Sequence, residues 1–154
     1  MLSDLSQFEF SFDENNGHYR VKLLSQGGIY PNLCAVFNTV EILDIPSFLD
    51  DIMFKSSRIS RFGGFLKGPI FEGRPNEEDL DIKKNQILID NGGSTYSKPE
   101  IIELEVFYKL SLAYAHKCLE LVTWFDLFDK RIITKGWIDR IRSWILKIEQ
   151  SYPA

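Results

Sequence analysis

Apolar and polar residues alternate strictly in two short segments near the beginning of the chain. Their apolar positions are Phe8, Phe10 and Phe12 in the first segment and Tyr19, Val21 and Leu23 in the second. A period of two places these side chains on one face of a strand. The polar run between the segments ends in Asn16-Gly17, a pair that accepts the positive φ angles of a tight turn. The pattern predicts a β-hairpin with one buried face.

The middle of the chain carries weaker patterns. Apolar and β-branched residues are frequent over residues 35–43, which predicts a third strand there. Pro46 suits the first turn of a helix, and a short helix is predicted over residues 47–54. Residues 58–73 fit neither period and hold five Gly and Pro residues, so irregular strands or a long loop are expected. The apolar run within residues 86–90 predicts one more short strand.

Apolar residues recur every three or four positions in the C-terminal third. Ser97-Lys98-Pro99-Glu100 has the form of a capping box, so a helix is predicted to begin at Lys98. It is expected to continue past Trp124 toward Lys130, because neither glycine nor proline stops it there. Thr134 is a suitable N-cap for a last helix. One stripe of that helix is apolar: Trp137, Ile141, Trp144, Ile145 and Ile148.

The strands come first along the chain and the helices second, without βαβ alternation. This order predicts an α+β fold, in which an N-terminal, hairpin-rich antiparallel sheet carries two or more long C-terminal helices on one face. The chain has 154 residues, of which 44% are hydrophobic and 14% aromatic, enough for one core. We therefore predict a single domain over residues 1–154, with a β-rich part at 1–93 and a helical part at 97–151.

The charge of the chain limits its possible partners. The 18 basic and 22 acidic side chains give a formal net charge of -4, which provides no basic field for a phosphate backbone. Direct binding of nucleic acid is therefore not expected. The sequence also lacks an export signal and an apolar run of the ~18 residues that a membrane span needs, so we expect a cytoplasmic protein without membrane contact.

The residues that usually carry catalysis or bind metals are few and scattered. His18 and His116 lie far apart in the sequence, and His116 and Cys118 would point ~200° apart on a helix. Cys34 and Cys118 have apolar neighbours and are expected to be buried thiols. No glycine-rich nucleotide fingerprint is present. We predict a protein that is not an enzyme and needs no metal or cofactor. The alternative is an enzyme that uses dispersed carboxylates with Tyr96 or His18.

Two segments are candidates for binding a protein partner. The first combines an acidic run with flanking aromatic residues, which offers charge to steer a basic partner, such as a nuclease, and apolar anchors to hold it. Its candidate residues are Phe62, Phe65, Phe71, Glu72, Arg74, Glu77, Glu78, Asp79 and Asp81. A solvated loop is the alternative interpretation of this run. The second candidate is Trp124-Phe125 with Phe128, unless these rings belong to the core.

Three segments give the chain a distinctive layout. They are Arg61-Phe62-Gly63-Gly64-Phe65, Phe71-Glu72-Gly73-Arg74 with its acidic continuation, and residues 94–100 before an aromatic-rich helix. In size, charge, aromatic content and this layout, the chain resembles the small acidic immunity proteins of bacterial polymorphic toxin and contact-dependent growth inhibition systems. The resemblance implies a cytosolic protein that binds one cognate toxin domain and blocks its active site or a surface it needs. An interaction module or subunit of another complex is the alternative, and the oligomeric state stays open.

Overall fold

Six strands and four α-helices make up the part of the chain that the computed structural model describes, residues 5–53, 58–59, 64–67, 86–90 and 100–151. The strands are β1 (Phe8–Asn15), β2 (His18–Ser25), β3 (Arg58–Ile59), β4 (Gly64–Lys67), β5 (Gln86–Asp90) and β6 (Glu100–Glu103). The helices are α1 (Pro31–Asn38), α2 (Ile45–Met53), α3 (Leu104–Trp124) and α4 (Lys135–Ser151), with 3-10 turns at Gln26–Gly28 and Ile42–Asp44. The predicted α+β class, with an N-terminal antiparallel hairpin and long C-terminal helices, is confirmed.

The predicted hairpin is present as an antiparallel pair of β1 and β2 over their full length. Asn16 and Gly17 form its turn with φ angles of 52° and 81°, the left-handed conformation that this pair adopts at low cost. The apolar face of the hairpin packs against α3, where the ring centroid of Phe10 lies 5.8 Å from that of Tyr114. The hairpin and α3 therefore share one core.

The other four strands form a separate antiparallel sheet in the order β3-β4-β5-β6. In its register Leu66 pairs with Ile89, and Ile87 pairs with Ile102. The strand predicted over residues 86–90 is confirmed as β5. Ile89 and Ile102 are both buried, so β5 and β6 contribute to the core.

The third strand predicted over residues 35–43 is wrong, because the chain forms α1 and then a 3-10 turn in this region. Pro31 occupies the first turn of α1, where its missing N–H costs no hydrogen bond. Leu33, Val36 and Phe37 are buried and stand at helical spacing, which outweighs the strand propensity of the β-branched residues. The short helix predicted next in the chain is confirmed as α2.

The predicted start of the long helix at Lys98 is also wrong. Strand β6 precedes α3, and α3 begins only at Leu104. Glu100, predicted to belong to a local capping box, instead caps another helix. Its Oε2 accepts the backbone N–H of Asn32 at 2.7 Å, and its Oε1 accepts that of Leu33 at 2.9 Å. These N–H groups belong to the first turn of α1, whose own N-cap residue makes no side-chain hydrogen bond. Glu100 thus ties α1 to the second sheet.

The last helix, α4, follows the prediction closely. Thr134 caps it, because its Oγ1 accepts the backbone N–H of Trp137 at 3.2 Å. All members of the predicted apolar stripe are buried. Two of them also hold α2 and the turn before it, since Trp137 Nε1 donates to the carbonyl of Ile42 and Trp144 Nε1 to that of Leu49, each at 2.6 Å. Indole hydrogen bonds therefore fix α4 against α2.

The core joins both sheets to the four described helices. Its largest fully buried side chains include Phe37, Phe48, Phe107, Tyr114 and Trp144. Among the described residues, no single helix has both the length and the apolar character to cross a bilayer. Helix α1 and residues 42–50 meet those criteria only when taken together, across a bend of 93°.

Candidate functional site

The acidic candidate segment falls almost entirely outside the described residues. Eight of its members lie there: Phe62, Phe71, Glu72, Arg74, Glu77, Glu78, Asp79 and Asp81. Phe65 lies in β4, and its backbone pairs with Arg58 on one side and with Asp90 on the other. Its side chain is not among those described. The acidic segment therefore stays a prediction.

The second candidate, at the end of α3, is largely exposed. Trp124 has 77% of its surface exposed, Phe125 38% and Phe128 48%. The other two tryptophans, Trp137 and Trp144, are buried. The C-terminal aromatic residues thus separate into core rings and the three exposed rings of Trp124, Phe125 and Phe128, which we call the aromatic surface. Large aromatic side chains that are exposed in this way are typical of surfaces that bind other proteins.

A tight turn ends α3 at Trp124, before its predicted end, and carries the aromatic surface. The N–H of Leu127 donates to the carbonyl of Val122 at 3.0 Å, and the N–H of Asp126 donates to that of Thr123 at 3.3 Å. This pair of bonds is the Schellman motif, and Asp126 takes its left-handed position with a φ of 51°. Glycine usually occupies that position and indicates a helix end in a sequence. Because Asp126 occupies it here, the sequence did not predict that α3 ends at Trp124.

The same motif is repeated one turn later. The N–H of Ile132 donates to the carbonyl of Leu127 at 2.9 Å, and the N–H of Arg131 donates to that of Phe128 at 3.0 Å. Arg131 takes the left-handed position with a φ of 61°. This conformation raises the free energy of a residue other than glycine by about 1 kcal/mol. Two successive motifs therefore fix the backbone that carries the aromatic surface.

The hairpin supports the aromatic surface from one side. Phe125 stacks on Phe12, with 4.3 Å between their ring centroids and 17° between their ring planes. The ring centroid of Phe12 also lies 5.9 Å from that of Tyr19. An open groove of ≈ 440 Å³ lies between the hairpin tip and the turn after α3. It is lined by Phe12, Glu14, Tyr19, Phe125, Leu127 and Lys130, and we call it the aromatic groove. Sequence reasoning missed its hairpin side, although Tyr19 and Glu14 follow from the predicted hairpin as a cross-strand pair.

Two opposite charges stand in the aromatic groove. Glu14 Oε1 accepts the backbone N–H of Gly17 at 3.2 Å, which leaves its second oxygen available. In the part of the chain that the structure describes, no basic side chain pairs with Glu14, and no carboxylate pairs with Lys130. Both charges are therefore available to a bound molecule.

The charge around the hairpin is negative. Residues 5–53 contain seven acidic side chains and only two basic ones. Both bases are already paired, Arg20 with Glu41 at 3.3 Å and Lys22 with Asp13 at 3.3 Å. Acidic side chains therefore exceed basic ones by five within residues 5–53, and one of these acids, Asp50, is paired with Arg140 of α4.

Among the residues that the structure describes, the side chains with catalytic potential are dispersed or buried. His18 Nδ1 lies 2.8 Å from Glu41 Oε1, and His116 Nε2 lies 3.4 Å from Glu149 Oε1, so each histidine has a surface carboxylate partner. Burial raises the pKa of the Cys118 thiol, which keeps it protonated and poorly nucleophilic. Within the described ranges, no three His, Cys, Asp or Glu side chains are placed to hold one metal ion.

The two candidate surfaces differ in their support. The aromatic surface and the aromatic groove have a described geometry, whereas the acidic segment rests on sequence. Searches against protein-family models, curated proteins and solved structures found no match to this chain, so its function is inferred from these surfaces.

Proposed function

We propose that this chain binds another protein rather than catalysing a reaction, and that the aromatic surface is its main contact. More specifically, we propose an immunity-type inhibitor that neutralises a cognate, basic toxin domain in the cytoplasm. The observation that carries the proposal is the 77% exposure of Trp124, at the end of a helix whose opposite face is buried in the core.

An exposed tryptophan gains much free energy when a partner covers it. A large aromatic side chain buries roughly 200 Å², and Trp124 is 77% exposed, so covering it contributes about 4 kcal/mol before the costs of association. Tryptophan is also enriched among the few residues that dominate binding energy at interfaces. The fixed turn after α3 reduces the ordering that binding requires, because the backbone there already holds one conformation.

Charge favours a basic partner. The acids of residues 5–53 lie in β1, at the 3-10 turn Ile42–Asp44 and in α2, and the sequence adds acids of the same sign over residues 72–81. Opposite potentials speed the encounter of two proteins and disfavour wrong partners. An acidic protein with aromatic anchors is therefore suited to a basic domain, such as a nuclease whose cleft holds phosphates.

A second candidate function uses the same aromatic surface. The exposed rings of Trp124, Phe125 and Phe128 also suit a complex subunit or a homodimer without any link to a toxin. Light scattering over a range of concentrations tests the homodimer. A stable dimer that dissociates on Trp124→Ala supports it, and a monomer at all concentrations excludes it.

The immunity proposal is tested by co-expressing the chain with the protein encoded beside it in the genome. We expect that protein to arrest growth when expressed alone and this chain to restore growth. Trp124→Ala should abolish the protection, whereas Leu146→Ala, an exposed leucine on α4, should retain it. A neighbouring product that leaves growth unaffected contradicts the immunity role. Full protection by Trp124→Ala contradicts the role of the aromatic surface.

A further inference from the structure

Resting on the proposed function, we infer that the aromatic groove receives an arginine side chain of the protein partner. The groove is open to solvent beside the aromatic surface, and three of its six lining residues are aromatic: Phe12, Tyr19 and Phe125. A planar guanidinium stacks on aromatic rings through cation–π and dispersion contacts. The groove thus combines aromatic rings with polar groups, and a guanidinium makes contacts of both kinds.

Glu14 supplies the matching charge at the edge of the groove. Its Oε1 is engaged by the N–H of Gly17 in the hairpin turn, which fixes the direction of the carboxylate, and its Oε2 remains for a ligand. Arginine presents several N–H donors in one plane, so it can donate to Glu14 while its face lies on a ring. Lysine offers only a point charge and no face for stacking. The combination of rings and carboxylate therefore selects arginine over lysine.

The charge of Lys130 allows a test of whether the side chain bound in the groove is a cation or an anion. It lines the groove and repels a bound cation, although its flexible stem lets the ammonium move toward solvent. The two hairpin strands carry three acids, Glu9, Asp13 and Glu14, and two bases, and both bases are already paired with carboxylates. A cationic occupant predicts that removing the charge of Lys130 strengthens binding. An anionic occupant predicts the reverse.

The test uses the full chain and a small probe, so it does not depend on knowing the partner. N-acetyl-arginine amide is titrated into the isotope-labelled protein, and backbone and side-chain shifts are followed by NMR. N-acetyl-citrulline amide, which has nearly the same shape without the charge, and N-acetyl-glutamate amide are the matched probes. We expect saturable shifts at Phe12, Tyr19 and Phe125 with the arginine probe, at millimolar affinity, and weaker effects with the other two.

Two charge variants complete the test. Glu14→Gln keeps an acceptor for Gly17 but removes the charge, and we expect it to weaken the arginine probe about fivefold or more. Lys130→Met keeps the apolar stem, and we expect it to strengthen the probe about twofold. Leu43→Ala, an exposed leucine outside the groove, should change nothing. Thermal unfolding of each variant confirms that it is folded.

Equal shifts with citrulline and arginine amides, or weaker arginine binding in Lys130→Met, would overturn the inference. Tighter binding of the glutamate probe in the wild type would also overturn it. The proposed function is judged separately by Trp124→Ala and growth rescue, which use no arginine probe. A groove that does not bind arginine in a chain that still protects cells therefore rejects only this inference.

Discussion

Phe12, in the first strand, stacks on Phe125, just beyond the end of α3, with their ring centroids 4.3 Å apart. The contact joins the hairpin to the turn that carries the aromatic surface. It also accounts for the lower exposure of Phe125, 38%, beside its neighbour Trp124 at 77%. The exposed rings therefore stand on a backbone that is held from two sides, by the hairpin and by the hydrogen bonds of the turn.

Phe12→Ala should destabilise the protein and loosen the turn after α3. Phe12 is half-buried, and its replacement by alanine removes both buried apolar area and the stacking contact with Phe125. We therefore expect a decrease in the free energy of unfolding of about 1–2 kcal/mol. Urea unfolding measures this change. Phe128→Ala is the matched control, because its exposed ring should cost less than about 0.5 kcal/mol. Equal stability of the two variants would show that the stack does not support the turn.

Trp144→Phe should destabilise the protein through one lost hydrogen bond. The indole N–H of Trp144 donates to the buried carbonyl of Leu49 at 2.6 Å, and phenylalanine cannot make this hydrogen bond and fills less of the core. We expect a loss of about 1–3 kcal/mol in the free energy of unfolding. Trp124→Phe makes the same chemical change at an exposed site and should leave stability unchanged. A similar loss in both variants would contradict the assignment of one indole to the core and the other to the surface.

Arg131→Gly should stabilise the protein. The left-handed backbone at Arg131, with a φ of 61°, costs an ordinary side chain about 1 kcal/mol more than glycine. Glycine also gains entropy in the unfolded chain, so a net increase of about 0.5 kcal/mol is expected. Asp129→Gly, in the same turn but without a positive φ, should instead destabilise. Thermal unfolding compares the two, and destabilisation by Arg131→Gly would exclude the repeated motif.

Glu100 should give the stability of the protein a characteristic dependence on pH. Burial raises the pKa of its carboxyl above the ordinary value of 4.5, although hydrogen bonds from the backbone of Asn32 and Leu33 act in the opposite direction. A carboxyl that holds its proton more tightly in the folded state stabilises the fold fully below pH 4.5. That contribution is lost as the pH rises through the higher folded pKa.

The measurement is urea unfolding of the wild type and Glu100→Gln between about pH 4 and pH 8. Glutamine has no proton to lose, so the wild-type free energy of unfolding minus that of the variant should fall as the pH rises and then level off. A difference that rises with pH would mean that the hydrogen bonds of Asn32 and Leu33 outweigh burial. The subtraction removes the contributions of the other acids, which both proteins share.

Local chemistry was sufficient to predict part of this fold. The hairpin follows from strict alternation on both sides of Asn16-Gly17, and α4 follows from Thr134 and a stripe at helical spacing. In these elements the residues that decide the structure are neighbours in sequence. The sequence also indicated Trp124, Phe125 and Phe128 as a second binding candidate but left open whether their rings belong to the core, and the structure places all three at the surface.

Other features depend on residues that are distant in sequence. Glu100 looks like part of a local capping box, but its partner Asn32 lies 68 positions away in the chain. The end of α3 was missed because Asp126, rather than glycine, takes the left-handed position. The role of Phe12 in the groove depends on its stack with Phe125, which only the packing of the hairpin on α3 brings together.

The most direct test of the binding surface is quantitative affinity capture from cells of the source organism, with purified variants as bait. The test variant is Trp124→Ala with Phe128→Ala, and the matched control is Leu43→Ala with Leu146→Ala, which removes two exposed apolar side chains elsewhere. We predict that the wild type and the control retain one basic protein and that the test variant loses it about tenfold or more. Equal retention of that protein by the test variant would contradict the assignment of the aromatic surface.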